Sequence, residues 1–168
     1  MKQFDDIYRQ HYTMIFRLVS KFISDRQEIE DVVQEVFMKL FLEMQAKRTM
    51  DYPKTWLYKV ASNQCVNIVG RRQETYSIDD ASVYALCDNE CVMQKYEEDE
   101  QKSVIRQALA RLEEHERMII ILYSEGLSYK EIAEISGVKF TSVGKTLSRT
   151  LDKLKPLLKR QYDAMLNK

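Results

Sequence analysis

Six side chains ending in a hydroxyl or a cation recur at helical spacing late in this 168-residue chain: Thr141, Ser142, Lys145, Thr146, Arg149 and Lys153. The first carboxylate among them is Asp152. Donors of this kind reach phosphate oxygens and base edges, a task of geometry rather than covalent chemistry. Val143, Leu147, Leu151 and Leu154 form the apolar stripe that can hold such a face in place. Upstream, Ser128 with Glu131 makes a capping box, Ile132, Ala133 and Ile135 give a short apolar face, and Gly137 sits where a helix end wants positive φ. The pattern predicts a helix-turn-helix whose second helix opens at Phe140 or Thr141. An ordinary helical hairpin with a solvated face shares that pattern, so the rest of the chain must decide.

A second polar set lies earlier. Lys59, Asn63, Asn67 and Arg71 recur every four residues, and Arg72 follows. Tyr52, Trp56 and Tyr58 stand just before them, and Lys47 and Arg48 lie in the preceding loop. Rings that stack on bases, cations that meet phosphates and amides that read base edges suit single-stranded DNA. The bland alternative is a solvated face over a core Trp56. A third set, Asp31, Gln34, Glu35, Met38 and Leu42, starts acidic and ends apolar on the second face of a helix. Unless a neighbouring helix covers it, that face is a docking surface.

These sets need helices to carry them. Only four Gly and two Pro occur, and apolar residues recur at helical spacing, which predicts an all-α protein. Phe4 to Ser24 reads as one helix. A second, capped by Ser24 with Gln27 or by Asp25 with Glu28, runs to about Met44. Pro53 opens a third that reaches about Arg72, with Trp56, Leu57, Val60, Ile68 and Val69 inward. Helix resumes at about Lys102. The apolar Met118–Leu122 run predicts a buried helix, and Pro156 predicts a stop or kink near Lys155 before one more helical piece.

Charge divides the chain. Lys and Arg against Asp and Glu number 12 to 9 over residues 1–72, 2 to 9 over 73–102, and 12 to 8 over 103–168. The net charge of zero therefore hides two mildly basic ends around an acidic middle. The reading is two small helical domains, 1–72 and 103–168, joined by an acidic linker, 73–102. With no signal core and no membrane-length apolar window, the expected location is cytoplasmic, without membrane insertion. Cys65, Cys87 and Cys91 match no zinc spacing, and no nucleophile–base pair or phosphate loop is present, so neither metal, cofactor, small-molecule substrate nor enzyme activity is expected.

Three segments in this order resemble the extracytoplasmic-function sigma factors of the sigma-70 family. DVVQEVFMKLFLEM (Asp31–Met44) resembles the core-polymerase-binding segment of region two. WLYKVASNQCVNIVGRR (Trp56–Arg72) resembles the segment that melts and reads the minus-ten element. LEEHERMIIILYSEGLSYKEIAEISGV (Leu112–Val138) resembles region four, which reads the minus-thirty-five element. The resemblance covers nearly the whole chain. It implies binding to core RNA polymerase and promoter DNA, melting by capture of a flipped base, release afterwards, and an anti-sigma factor as regulator. The family pattern usually has Asp at Asn67, Arg or Lys near Gly70, and a Thr-Val-Lys run where this chain has Ser142-Val143-Gly144, with Lys145 displaced by one; Thr150 replaces an alanine-like residue. A stand-alone helix-turn-helix regulator and a sigma-like adaptor that binds no DNA are the alternatives.

Overall fold

Helical periodicity becomes helix along nearly all of the residues that the computed structural model describes, 2–46, 52–76 and 96–166. Among them are seven α-helices and no strand: α1 (Lys2–Ser20), α2 (Arg26–Gln45), α3 (Pro53–Tyr76), α4 (Tyr96–Ala110), α5 (Glu114–Ser124), α6 (Tyr129–Ser136) and α7 (Phe140–Leu166). Lys47 and Arg48 fall outside the described residues, as do Cys87, Cys91 and most of the acidic middle segment.

The first three helices build one core. Asp25 is the cap that α2 uses, accepting the Glu28 N–H at 2.8 Å. Val32, Val33, Val36, Phe37 and Leu40 then meet Ile15, Leu18 and Val19 of α1 and Leu57 and Ala61 of α3. Each such side chain withdrawn from water stabilises the fold by about 1.5–3 kcal/mol before entropy is counted. An aromatic ladder extends this core. The Phe4 ring sits 5.3 Å from Phe41 and the Tyr8 ring 4.7 Å from Phe37, both edge-on.

Helices α4 to α7 build the second core from Ala108, Leu109, Leu112, Ile132, Ile135, Val143, Leu147 and the wholly buried Met118–Leu122 run. The buried Arg117 guanidinium donates to the carbonyls of Leu109 (2.9 Å), Ala110 (3.0 Å) and Leu112 (3.1 Å), which closes the end of α4 with a charged donor. The capping box of α6 is formed: Ser128 N–H donates to Glu131 Oε2 at 2.8 Å and Glu131 N–H to Ser128 Oγ at 3.3 Å. Gly137 ends α6 at φ 74°.

Two expectations change. α7 does not stop near Lys155 but continues through Pro156. Proline there deprives the Asp152 carbonyl of its partner, yet both residues are exposed and water can take the place of the lost donor. α3 outruns Arg72 to Tyr76, and α4 begins at Tyr96 rather than at about Lys102. The acidic run Glu97–Glu100 that read as linker lies in the first turns of that helix.

Helix α3 turns Leu57, Trp56, Val60 and Ile68 to the core as its pattern predicts, and buries more than that face. It touches α1 and α2 on one side and α5 and α6 on another, so it joins the two halves. Leu57, Tyr58, Ala61, Ser62 and Cys65 are buried, whereas Trp56, Val60, Ile68 and Val69 are half-buried.

Candidate nucleic-acid interface

Because α3 is covered from two directions, little of it is left for solvent. Lys59, Asn63, Asn67 and Arg71 are all exposed, so the four-residue spacing read from the sequence is the strip that the neighbours leave open. Tyr52 stands at its entrance, 77% exposed, and Trp56 is half-buried against the core. Arg72 is exposed but ion-paired with Glu28 of α2. Tyr58 does not join the strip. It is 1% exposed, and burial followed by the nearby Glu125 carboxylate pushes its phenol up to about 12. A ring enclosed in this way presents no face on which a base could stack.

On α7, Thr141, Lys145 and Arg149 are exposed and Ser142 and Thr146 half-exposed, opposite the buried Val143 and Leu147. Thr150 is buried, its hydroxyl returned to the Thr146 carbonyl at 2.9 Å. Lys153 reaches back to α5 and donates to Glu116 Oε1 at 2.5 Å. Burial raises the Glu116 carboxyl, but the Lys153 hydrogen bond and the Glu113 N–H outweigh it and hold the group below its ordinary value. Lys153 therefore braces α7 against α5 before it can serve a phosphate.

Gly144 faces inward, towards α6. A Cβ built there lies 3.3 Å from Cε2 of Tyr129, so the missing side chain makes room for a ring of the bracing helix.

The α2 stripe is uncovered among the described residues. Asp31, Gln34 and Glu35 are exposed, Met38 is 52% and Leu42 56% exposed, while Phe37 and Leu40 on the other face are buried. Glu35 pairs with Lys39 at 3.0 Å and accepts a hydrogen bond from Gln64 of α3, which sets the acidic end of the stripe beside the α3 strip.

Sequence models agree with this layout. Sigma-70 region 2 matches residues 7–75, and Sigma-70, region 4 matches residues 102–154. RNA polymerase sigma-H factor of Pseudomonas aeruginosa is 31% identical, over 94% of this chain and 89% of its own. The chain belongs to the sigma-70 family of RNA polymerase sigma factors, in the extracytoplasmic-function group. RNA polymerase sigma factor YlaC of Bacillus subtilis is 30% identical, over 90% of this chain and 89% of its own. ECF RNA polymerase sigma factor SigM of the same species is 26% identical, over 93% and 95%. The fold is also that of the sigma factor RpoE of Bartonella quintana, solved in complex with the anti-sigma factor NepR, with a TM-score of 0.71, 23% identity, and coverage of 95% of this chain and 98% of that one.

One buried polar cluster of this sigma factor was invisible in the sequence. Glu125, in the turn after α5, has a side chain 1% exposed. Arg17 Nη2 donates to its Oε2 at 2.7 Å and Arg17 Nε at 3.1 Å; Lys21 donates to its Oε1; the Tyr58 hydroxyl lies 3.4 Å from Oε2. Lys21 also donates to Ser124 Oγ at 2.8 Å. The partners are 67 to 108 residues apart in the chain, so no local spacing could have shown them. No helix of the described residues is long and apolar enough to cross a membrane, and among them no three His, Cys, Asp or Glu side chains gather as metal ligands.

Proposed function

We propose that this sigma factor, in the cytoplasm and without catalysing a covalent step itself, docks on core RNA polymerase through the α2 stripe and reads a promoter with α3 and α7. The observation that carries the reading is the exposed Asp31, Gln34, Glu35, Met38 and Leu42 stripe: Met38 and Leu42 have no cover from within the described residues, so their burial needs a partner. Duplex readout at the minus-thirty-five element falls to Thr141, Ser142, Lys145, Thr146 and Arg149, with Lys153 as brace. The minus-ten strand meets Tyr52, Trp56, Lys59, Asn63, Asn67, Arg71 and Arg72, joined by Lys47 and Arg48 from the loop. Tyr58 becomes available only when the α5–α6 turn leaves it. The corresponding domains are 1–72 and 103–168, with 73–102 between them. Regulation by an anti-sigma factor is supported by the RpoE–NepR likeness.

Run-off transcription tests this reading: purified core polymerase should start at a cognate promoter only when the chain is added. A stand-alone regulator would instead bind a palindromic duplex without polymerase, and an adaptor would bind polymerase yet give no transcript.

A further inference from the structure

The apolar stripe of α7 begins one residue before its donors do. Phe140, Val143 and Leu147 stand three and then four residues apart, on one side of the helix. Val143 is 0% and Leu147 3% exposed, whereas Phe140 is 59% exposed and stands outside the core. Position is the cause. Phe140 is the first residue of α7, and the Ser142 N–H closes that first turn on the Lys139 carbonyl at 2.8 Å. Side chains on a helix lean toward its N-terminus, so this ring projects ahead of the helix, past the neighbours that cover Val143 and Leu147.

A lone exposed ring needs no partner on its own account. What marks this one is what adjoins it. Thr141 follows directly and Lys145 lies about one turn on, both exposed, and Ser142 is half-exposed. On the functional reading above, on which this inference rests, those donors enter a major groove. A recognition helix enters the groove with its N-terminal residues at the base edges, so the ring arrives where the donors arrive. It carries no hydrogen-bonding group and cannot read the polar atoms of a base edge or hold a phosphate. One group on the major-groove edge is apolar, the C5-methyl of thymine. We propose that Phe140 is a specificity-determining residue of the duplex element, packing its ring on the C5-methyl of one thymine there. Cytosine carries no such methyl, and the ring offers nothing to the polar edges of adenine or guanine. Phe140 therefore adds a preference for thymine at one position that no cation or hydroxyl of α7 supplies.

Deoxyuridine tests this, because it removes the methyl and leaves the base pair's hydrogen bonds intact. The probes are promoter duplexes selected from a randomised pool by core polymerase carrying the full chain. Each thymine of the upstream element, on either strand, is replaced singly by deoxyuridine. With the wild type, one replacement should weaken binding about fourfold, the worth of one methyl-sized group withdrawn from water. With Phe140→Ala the same replacement should leave affinity within about 1.5-fold, since no ring remains to lose the contact. Phe140→Leu keeps an apolar side chain and should retain part of the discrimination. Circular dichroism checks that the variants keep their helix; should Phe140→Ala lose it, Phe140→Gln, which favours helix and ends in an amide, takes its place. An upstream element in which no replacement weakens wild-type binding overturns the proposal. So does a replacement that weakens wild type and Phe140→Ala alike. A variant that binds core polymerase less well with its methyl discrimination unchanged assigns the ring to a protein interface and also overturns it. These results leave the sigma reading intact. Failure to select any duplex strikes that reading itself, and the Phe140 contact falls with it.

Discussion

The α2 stripe and the Glu125 junction are both surfaces where acidic and apolar groups meet, and they are in opposite states. Met38 and Leu42 remain in water beside Asp31 and Glu35. Glu125 is out of water, and both of its oxygens are taken by donors from the other half of the chain. The first surface is unsatisfied and needs a partner from elsewhere. The second is satisfied within the chain, so it resists the first partner's arrival to whatever extent opening is required. The contrast teaches that exposure of apolar groups marks an external interface, whereas burial of a paired charge marks an internal one that can be exchanged.

The largest expected effect is on the unsatisfied surface. Glu35→Lys reverses a charge that is exposed and outside the core, so the fold should survive. Across an interface such a clash costs several kcal/mol, and affinity for core polymerase should fall a hundredfold or more. A variant that co-purifies with core polymerase at normal yield removes α2 as the docking helix. Next come the rings at the α3 entrance. Tyr52→Ala and Trp56→Ala should each slow open-complex formation about 5- to 150-fold while sparing closed-complex binding, since one stacked base is worth about 1–3 kcal/mol. Tyr52 is the cleaner site; Trp56 also packs against the core, and a Trp56→Ala defect confined to thermal stability would assign that ring to the fold alone.

These two surfaces were not equally legible. The α2 stripe broke a local rule, apolar residues where a small helical domain keeps a polar face, and a window of about twelve residues was enough to see it. The Ser128–Glu131 box, the Gly137 end and the Pro53 start were local too, and they are where the sequence put them. Tyr58 was read as an offered ring because its neighbours, Glu125 and Arg17, are far away in the chain. The room that Gly144 leaves for the Tyr129 ring was equally out of reach of a local window, because that ring sits on the preceding helix. At Pro156 the stop, one of the two outcomes the local rule allows, is not taken: the helix is exposed there and water can replace the lost donor.

A smaller, graded effect comes from pH at the satisfied surface. Burial raises the Glu125 carboxyl, but hydrogen bonds from Arg17 and Lys21 outweigh it and hold the group below its ordinary value. Its value with the two halves in contact is thus lower than with them apart. The contribution to that contact is complete above the ordinary carboxylate range and is lost as pH falls through the depressed value. Tyr58, pushed up to about 12, remains a neutral phenol throughout that range. Small-angle scattering recorded against pH should show the halves together at neutrality and parted only in acid; parting near neutrality would mean that another group governs the junction.

The smallest effect is at Gly144. Alanine there gains about 1 kcal/mol of helix propensity, part of which is spent moving the exposed Tyr129 ring a few tenths of an ångström. Melting temperature should rise by a few degrees at most, and promoter affinity should stay within about twofold, because the new methyl faces α6 rather than the DNA side. A clear loss of affinity in the more stable variant would return Gly144 to the DNA interface.

Hydrogen–deuterium exchange of the chain alone and bound to core polymerase tests the central contrast in one experiment. The account predicts slower exchange over residues 31–42 on binding, together with faster exchange over residues 121–127 as the Glu125 junction gives up its partners. Unchanged exchange over 31–42, with residues 121–127 as protected as in the free chain, would contradict it.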